Sequence, residues 1–402
     1  MFLKLDKGCI VFDACGIHMM GNPCTGQLFG LNENGYELTL SLLKGCDISK
    51  EDCSGLELQL IDAYEQSGLL NSTCKSPRIR TVYIHVTSRC NMNCSGCYSR
   101  FSRKNQKEDE MSTSDIMNIV DKLSGANVST IVVSGGEPFL RDDLVAILRY
   151  MKCEKKIPKV FCISNGSASF TKYKEAIEYL DGLSFSLDGH SRESSYLRKD
   201  SFDNVVKTIK QLKRNNWKPG IIFTVHKKNY KNISDMKNFA ESLEVGYSFS
   251  VFTTERGKET SEYELFGETI PDFVKYAETS GTHISDTPLE DGLGCRVCCG
   301  AGSTMLSISA NGDIMPCHMF YEKKFLLGNA LVDDLSEILD MEREPLFSVE
   351  QKSHCKKCEY KYLCGGGCLF RSYIFTGRLQ DTDPLCPLFT SSIERTIRML
   401  IG

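Results

Sequence analysis

The sequence predicts an α/β protein in three parts: a partial (β/α)6 barrel of the TIM type, a winged-helix-like domain before it and a cysteine-rich domain after it. Three observations support this. Between residues 82 and 251, six strand-like runs alternate with amphipathic helices. The first 76 residues instead show a short β-then-α pattern. From about Thr287 the alternation stops, and glycines and cysteines crowd the remainder.

In the first part, residues 1–76, apolar stretches at Cys9–Phe12 and Gln27–Leu31 precede helical patterns at Tyr36–Lys44 and Leu56–Tyr64. Gly45 and the Ser67–Gly68 pair end the two helices, because glycine takes the left-handed turn that closes them. Pro77 and the basic Arg78–Arg80 lead into the second part, residues 77–286. Its strand runs are Val82–Val86, Thr130–Val133, Val160–Ile163, Leu183–Leu187, Ile221–Val225 and Tyr247–Val251. Ile116, Ile119, Val120 and Leu123 share one helical face, behind Ser112 and Asp115 at capping-box spacing. Phe202, Val205, Val206 and Ile209 repeat that spacing; Ile233, Met236, Ala240 and Leu243 approximate it. Alternating β and α implies a parallel sheet with right-handed crossovers, and the ligand site then belongs at the C-terminal strand ends. The third part, residues 287–402, reads as too irregular to be held by a large apolar core alone, so cross-linking by metal is expected.

Composition narrows the function. The 402 residues are 41% hydrophobic and 25% charged, as in ordinary globular proteins. A net charge of −4 gives no reason to expect nucleic acid or an anionic membrane as partner. Met1–Lys7 lacks a signal-peptide core, and no apolar run is long enough to span a bilayer, which points to the cytoplasm. There, 20 cysteines are not disulfides, because thiols are kept reduced. Packing as small apolar side chains explains several. It does not explain the ten that fall in two tight motifs, the pattern of metal or cluster ligation.

The first motif, Cys90, Cys94 and Cys97 in a Cys-x3-Cys-x2-Cys spacing, follows the first barrel strand directly. Three thiolates can hold three irons of a [4Fe–4S] cube and leave the fourth open to a ligand. Structural zinc needs four closed ligands, and no fourth Cys or His lies in the loop; His85 precedes it on the strand. This loop resembles the signature of the radical S-adenosylmethionine (SAM) superfamily, and the later strand ends match in order. Ser134, Gly135, Gly136, Glu137 and Pro138 resemble the Gly-Gly-Glu-Pro segment that receives the methionine amino group, where glycine lets backbone approach a ligand. Ser164 and Asn165 end the third strand; Ser186 and Asp188 end the fourth. Arg198 stands where relatives set a basic residue against the methionine carboxylate. Val225 and Asn229 resemble adenine-side positions, and Tyr98, after Cys97, is counted among the cofactor-binding residues. The resemblance covers roughly residues 80–250 and implies that SAM chelates the open iron. One electron then yields a 5′-deoxyadenosyl radical.

The second motif runs Cys299, Gly312, Cys317, Cys355, Cys358, Cys364, Cys368 and Cys386. It resembles the seven-cysteine SPASM extension of radical enzymes that modify peptides and proteins. A zinc ribbon built on Cys355, Cys358, Cys364 and Cys368 is the rival reading, but it leaves the other three idle. The resemblance implies one auxiliary cluster on Cys355, Cys358, Cys364 and Cys386. A second would rest on Cys299, Cys317 and Cys368 with an upstream cysteine, making three [4Fe–4S] clusters in all. Cys295 and Cys298 both qualify for that upstream place. Cys295 is preferred because directly adjacent residues point apart; without it an open iron could bind a substrate thiolate. His318 stands where sulfatase-maturing relatives carry a catalytic Asp, which counts against sulfatase maturation and leaves packed and catalytic roles equally open.

Residues 1–74 resemble the peptide-recognition element of maturases of ribosomally made peptides, on the stretch Thr25–Leu38 and the two helices after it. Such a module binds a leader peptide as an added strand; the plainer alternative is a cap over the open barrel. Its acids outnumber Lys4, Lys7, Lys44 and Lys50, which disfavours a DNA-binding winged helix. Cys9, Cys15, Cys24, Cys46, Cys53, Cys74, Cys153 and Cys162 read as packed thiols. The resemblance implies a maturase that takes a hydrogen from a precursor peptide and installs a thioether or other cross-link, fed by a low-potential donor such as ferredoxin or flavodoxin. Cα epimerisation, or maturation of a folded protein, shares the first step. A redox-sensing iron–sulfur regulator would not need the strand-end motifs.

Overall fold

The computed structural model describes residues 3–53, 55–71, 78–98, 110–254, 262–281, 284, 292–340 and 347–401. Cys74, Pro77, Thr287 and the expected boundaries at 76/77 and 286/287 lie outside the described residues.

The chain opens with an antiparallel meander of β1 (Ile10–Ala14), β2 (Ile17–Asn22) and β3 (Gln27–Leu31). Cys15 (φ 52°) and Gly16 (φ 73°) form the two-residue turn between β1 and β2. Paired positive φ values are what a tight hairpin needs to match strand twist. Helices α1 (Glu33–Lys44) and α2 (Leu56–Gln66) follow. Asn32 caps α1 by accepting from Gly35 N–H, and Gly45 closes it at φ 77°. Leu31, Leu38, Leu42, Ile61, Tyr64 and Leu69 form a core of their own, in which the Tyr64 hydroxyl meets Thr39 Oγ1 at 2.8 Å. The sequence pattern does not reveal β2, because both of its faces are covered. Met20 enters this core, while Met19 packs with Leu363, Ile393 and Ile397 of the C-terminal part. Burial on both faces erases the period-2 alternation that marks a half-buried strand.

The barrel strands are β4 (Thr81–Thr87), β5 (Thr130–Gly135), β6 (Lys159–Ser164), β7 (Gly182–Leu187), β8 (Gly220–Val225) and β9 (Gly246–Val251), each parallel to the next. Between them run α3 (Thr113–Gly125), α4 (Leu144–Arg149), α5 (Phe170–Ala176), α6 (Phe202–Arg214) and α7 (Ile233–Ser242), with α8 (Thr269–Thr279) after β9. Ser112 and Asp115 form the expected capping box on α3. Side chains alternate across each strand. Val82, Ile84, Val86, Ile131, Val133, Phe185 and Phe223 enter the main core. The opposite face, with Tyr83, Phe161, Ile163, Ser184, Ile222 and Thr224 part-exposed, lines the lumen. No helix among the described residues is long and apolar enough to cross a membrane.

The third part departs from expectation. It adds β10 (Met305–Ile308), β11 (Asp313–Met315) and β12 (Gly328–Asn329) to the barrel sheet, in the order β12-β11-β10-β4-β5-β6-β7-β8-β9. Strand β10 runs parallel to β4, with Ser307 opposite Tyr83. Leu306, Ile308 and Ile314, with Leu335 from α9 (Leu335–Asp340), belong to the barrel's own core. So do Leu388 and Phe389 of the C-terminal helix, while α10 (Lys361–Cys364), α11 (Leu369–Thr376) and α12 (Cys386–Ile401) complete the chain. Strands of four, three and two residues are too short to leave a period in the sequence, which is why the segment reads as irregular. The N-terminal module docks on this part: Phe12 meets Tyr362 at 5.1 Å between ring centroids, and Cys15 N–H donates to Glu359 at 2.9 Å.

Because β10 shares the main core, Leu306→Ala should cost about 2–5 kcal/mol of stability in a denaturant titration. A loss near zero would mark the C-terminal strands as peripheral.

Candidate active site

Strand β4 ends in the loop that carries the first three cysteines, and β5 ends against that loop. Gly136 N–H donates to Thr87 O at 2.7 Å and Glu137 N–H to Arg89 O at 2.8 Å. A Cβ on Gly135 would overlap the Thr87 carbonyl, and one on Gly136 the Arg89 carbonyl. Glycine is therefore required twice, so that backbone lies on backbone at the edge of the site. Glu110 fastens the same loop by accepting from Ser88 N–H (2.9 Å), Ser88 Oγ (2.8 Å) and Thr87 Oγ1 (2.8 Å).

Glu137 departs from the role its motif implies. It is fully buried, accepting from Asn165 N–H (2.7 Å), Ser164 Oγ (2.8 Å) and Phe139 N–H (3.2 Å). It braces the end of β5 to the end of β6 and offers no free carboxylate edge. Burial pushes its pKa up, against the pull of those donors. Asn165 then reaches the cysteine loop, its Nδ2 3.1 Å from Asn91 Oδ1 and 3.7 Å from Cys90 Sγ. Pro138 is buried in the turn after Glu137.

The far side of the site is built from β7 and β8. Asp188 is fully buried, its Oδ2 accepting from Tyr196 N–H and Leu197 N–H, both at 2.7 Å, with His226 Nε2 at 3.5 Å. Burial alone would raise its pKa, yet His226 and Arg198 hold it below the usual value. Its Oδ1 is sealed from solvent without a hydrogen-bond partner among the described residues. Arg198 donates to Thr224 Oγ1 at 3.0 Å, and both Arg198 and Asp188 act electrostatically on the Cys94 thiol. That thiol is raised chiefly by burial, opposed by Arg198. Ser186 lies part-exposed on the lumen face. Val225 and Asn229, expected beside an adenine, are fully buried with their side chains engaged elsewhere. Val225 packs in the main core, and Asn229 Nδ2 donates to Asp188 O (2.8 Å) and Thr224 O (2.9 Å). What remains for a ligand at those two positions is backbone.

The structure brings most of the C-terminal cysteines together in two sets. Cys355, Cys358, Cys364 and Cys386 all line one small cavity, with Gly366, Gly367 and Asp383 in its wall. Burial lifts Cys364 to about 12 and Cys386 to about 11. Cys317 and Cys368 are also raised by burial, and each feels Cys299. Asp383 accepts Cys368 N–H at 2.7 Å and pairs with the buried Arg371 at 2.8 Å. Cys295, the preferred fourth ligand for Cys299, Cys317 and Cys368, stands apart from them. It is pressed against Gly21 at the N-terminal sheet, where its thiol neighbours are Cys9 and Cys24. Cys298 is the cysteine beside Cys299, with its Sγ 3.3 Å from Ser303 Oγ. Among the described residues no three His, Cys, Asp or Glu side chains converge on a point suited to one metal ion. Four thiols ringing one cavity instead suit a multinuclear cluster, which needs soft ligands around a volume.

Comparison with known proteins agrees with this geometry. The radical SAM superfamily profile matches residues 84–240, and the profile of the SPASM iron–sulfur cluster-binding domain matches residues 298–359. The chain is a radical SAM superfamily enzyme with a SPASM domain. It is 29% identical over 306 residues to the antilisterial bacteriocin subtilosin biosynthesis protein AlbA of Bacillus subtilis, covering 70% of this chain and 65% of that protein. The match therefore spans just under two thirds of AlbA's own length. It is 25% identical over 344 residues to the AdoMet-dependent heme synthase of Methanosarcina barkeri, covering 76% of this chain and 96% of that protein. Its fold matches Streptococcus suis SuiB bound to S-adenosylmethionine with a TM-score of 0.59 at 17% identity, over 95% of this chain and 99% of that one. SAM and iron–sulfur clusters are thus the cofactors of this enzyme.

The sequence reading named His318 and Tyr98, but not the polar row that they form with Tyr83 and His85 inside the lumen of this radical SAM enzyme. His318 stacks on Tyr83 at 4.2 Å and meets Tyr98 edge-on at 5.5 Å; His85 lies 6.1 Å from Tyr98. Tyr98 Oη in turn sits 3.3 Å from Ser134 Oγ. His85 Nε2 and His318 Nδ1 are sealed from solvent with no hydrogen-bond partner among the described residues. Burial holds His85 down to about 4, so its imidazole is neutral at physiological pH. Only the period-2 alternation of β4 could have placed Tyr83 and His85 on one face; the approach of His318 depends on the unrecognised pairing of β10 with β4.

The two upstream cysteines can be separated by experiment. Cys298→Ala should reduce the iron bound by the C-terminal domain or change its electron paramagnetic resonance (EPR) signal, whereas Cys295→Ala should do neither. The opposite pattern would restore Cys295 as ligand.

Proposed function

We propose that this enzyme is a maturase that takes a hydrogen from a ribosomally made precursor peptide and installs a cross-link, a thioether being one form. The observation that carries the proposal is the N-terminal module. It is a three-stranded sheet with two helices and a core of its own, docked on the SPASM part. A groove between β3 and α2, lined by Gly30, Leu31, Asn32, Gly35, Leu56 and Leu60, gives an extended leader a place beside the β3 edge. The fold likeness to SuiB runs through this module, and SuiB has also been solved bound to its precursor peptide SuiA. AlbA, by its name, serves bacteriocin biosynthesis.

In this reading Cys90, Cys94 and Cys97 hold the barrel cluster, and the backbone of Gly135 and Gly136 faces the methionine end of SAM. Arg198 supplies the cation for its carboxylate, and the sealed Oδ1 of Asp188 accepts from a donor on the ligand. Ser164 and Asn165 keep Cys90 in place through Glu137. When bound, the cofactors supply a 5′-deoxyadenosyl radical for hydrogen abstraction, an electron route from a low-potential donor such as ferredoxin or flavodoxin, and an acceptor for the electron released. Cys355, Cys358, Cys364 and Cys386 hold one auxiliary cluster, and Cys299, Cys317, Cys368 and Cys298 the other, for three [4Fe–4S] clusters in total. The lumen orients the substrate: neutral His85 and His318 each keep a nitrogen for a peptide polar group, and Tyr83 and Phe161 flank the entering side chain. Two auxiliary sites favour net oxidation over epimerisation, because a cross-link releases an electron and epimerisation consumes a hydrogen donor.

Heme synthesis is the second reading, favoured by the match that spans 96% of the M. barkeri enzyme. One experiment distinguishes them. The anaerobically reconstituted enzyme, with reductant and SAM in deuterated water, is given the short peptide encoded beside its gene, with and without its leader. The peptide should lose two hydrogens, and only when the leader is present. Uptake of one deuterium at Cα would mean epimerisation. An unchanged peptide, together with conversion of an iron porphyrin, would establish the second reading instead.

A further inference from the structure

Lys352 is 1% exposed, and long cationic side chains are almost never so buried without an anion. Its ammonium donates to Gly366 O at 2.8 Å and to Ser372 Oγ at 3.4 Å, both neutral acceptors. Among the described residues no carboxylate lies within ion-pair distance of it. The nearby acid, Asp383, is committed to Arg371 at 2.8 Å, with 3% and 1% of the two side chains exposed. The position is built for this lysine. Gly366 has φ +81°, and a Cβ there would lie 3.3 Å from Lys352 Cδ and 3.3 Å from Val349 Cγ1. Gly366 is also in the wall of the cavity ringed by Cys355, Cys358, Cys364 and Cys386, so the ammonium sits just behind that wall.

A buried cation without an anion is strongly unfavourable. A four-thiolate iron–sulfur cluster carries net negative charge in both redox states, and the cavity beside Lys352 is where such a group would stand. We propose that Lys352 is the buried counter-charge of the C-terminal auxiliary cluster, a positioning residue that holds the cavity wall through Gly366 O and raises the reduction potential of the cluster. The inference rests on the assignment of that cluster to these four cysteines. Reduction adds negative charge, so a fixed positive charge favours the reduced form and its removal favours the oxidised one. The same cavity wall without the charge would leave the acceptor cluster harder to reduce, and so a poorer sink for the electron that cross-linking releases.

Two neutral replacements separate charge from shape. Lys352→Met removes the charge and the hydrogen bond; Lys352→Gln removes the charge and keeps an N–H donor for Gly366 O. In full-length, anaerobically reconstituted enzyme, EPR-monitored potentiometry should show the auxiliary signal reduced at least tenfold less favourably in both, a fall of about 59 mV for a one-electron couple. If Lys352→Met fails to fold, Lys352→Gln decides alone. An auxiliary midpoint in Lys352→Gln equal to wild type would overturn the proposal and reduce Lys352 to a packing and hydrogen-bonding role. A Cys386→Ala control tests the underlying assignment separately. If it leaves the auxiliary signal intact, the four-thiol site is wrong and the inference falls with it; if the signal is lost while Lys352→Gln is unshifted, only the inference fails.

Discussion

Strand β4 is paired along both edges, to β5 on one side and to β10 on the other, and the sites of this enzyme depend on that double pairing. One pairing sets the Gly135–Gly136 backbone against the loop that begins at Thr87 and carries Cys90, Cys94 and Cys97. The other ties the SPASM part into the same sheet, so that His318, just after β11, comes down on Tyr83. A flexible connection between two domains would not hold the C-terminal part at a fixed place against the loop that carries Cys90, Cys94 and Cys97. A continuous sheet with a shared apolar core does, because Leu306, Ile308 and Ile314 cannot leave without opening the core that also holds Val82 and Ile84.

Much of the barrel was legible in the sequence for a simple reason. Parallel strands covered by helices on one face and open to a lumen on the other keep a clear pattern, and all six expected runs fall within β4 to β9. The cysteine motifs were legible because ligand spacing is a short-range property. Three things were not. Strand β2 is hidden because Met19 and Met20 are buried on opposite faces, which leaves no polar side to alternate with. The C-terminal strands are hidden because two to four residues carry no period, and their partner β4 lies more than two hundred residues away in the chain. Lys352 is hidden because a lysine between glutamine and serine reads as surface; only the closed packing around Gly366 shows otherwise.

Several side chains that a motif marks as ligand contacts turn out to be fasteners. Glu137, Asn229 and Val225 spend their side chains on neighbouring strand ends or the core, leaving backbone, Arg198 and Asp188 Oδ1 at the surface of the site. This division has a physical basis. A reactive intermediate must be held in a site whose walls do not move, and buried carboxylates and amides with every partner in place supply that rigidity better than groups that must also bind and release a ligand. The placement of Cys295 away from Cys299, Cys317 and Cys368 has a similar lesson. Residue adjacency was a sound general argument, but the hairpin turn of the N-terminal sheet takes Cys295 as part of its own packing, through Gly21 and the 3.1 Å bond from Cys295 N–H to Gly26 O.

The central claim of the proposal is that this chain holds three cluster sites, and counting iron tests it most directly. Mössbauer spectroscopy and iron and sulfide analysis would be made on reconstituted wild type and on a variant with Cys90, Cys94 and Cys97 all changed to Ala. The account predicts roughly twelve irons per chain in the wild type and roughly eight in the variant, all as [4Fe–4S] clusters. Retention of only about four irons in the wild type, or loss of all iron in the variant, would contradict it.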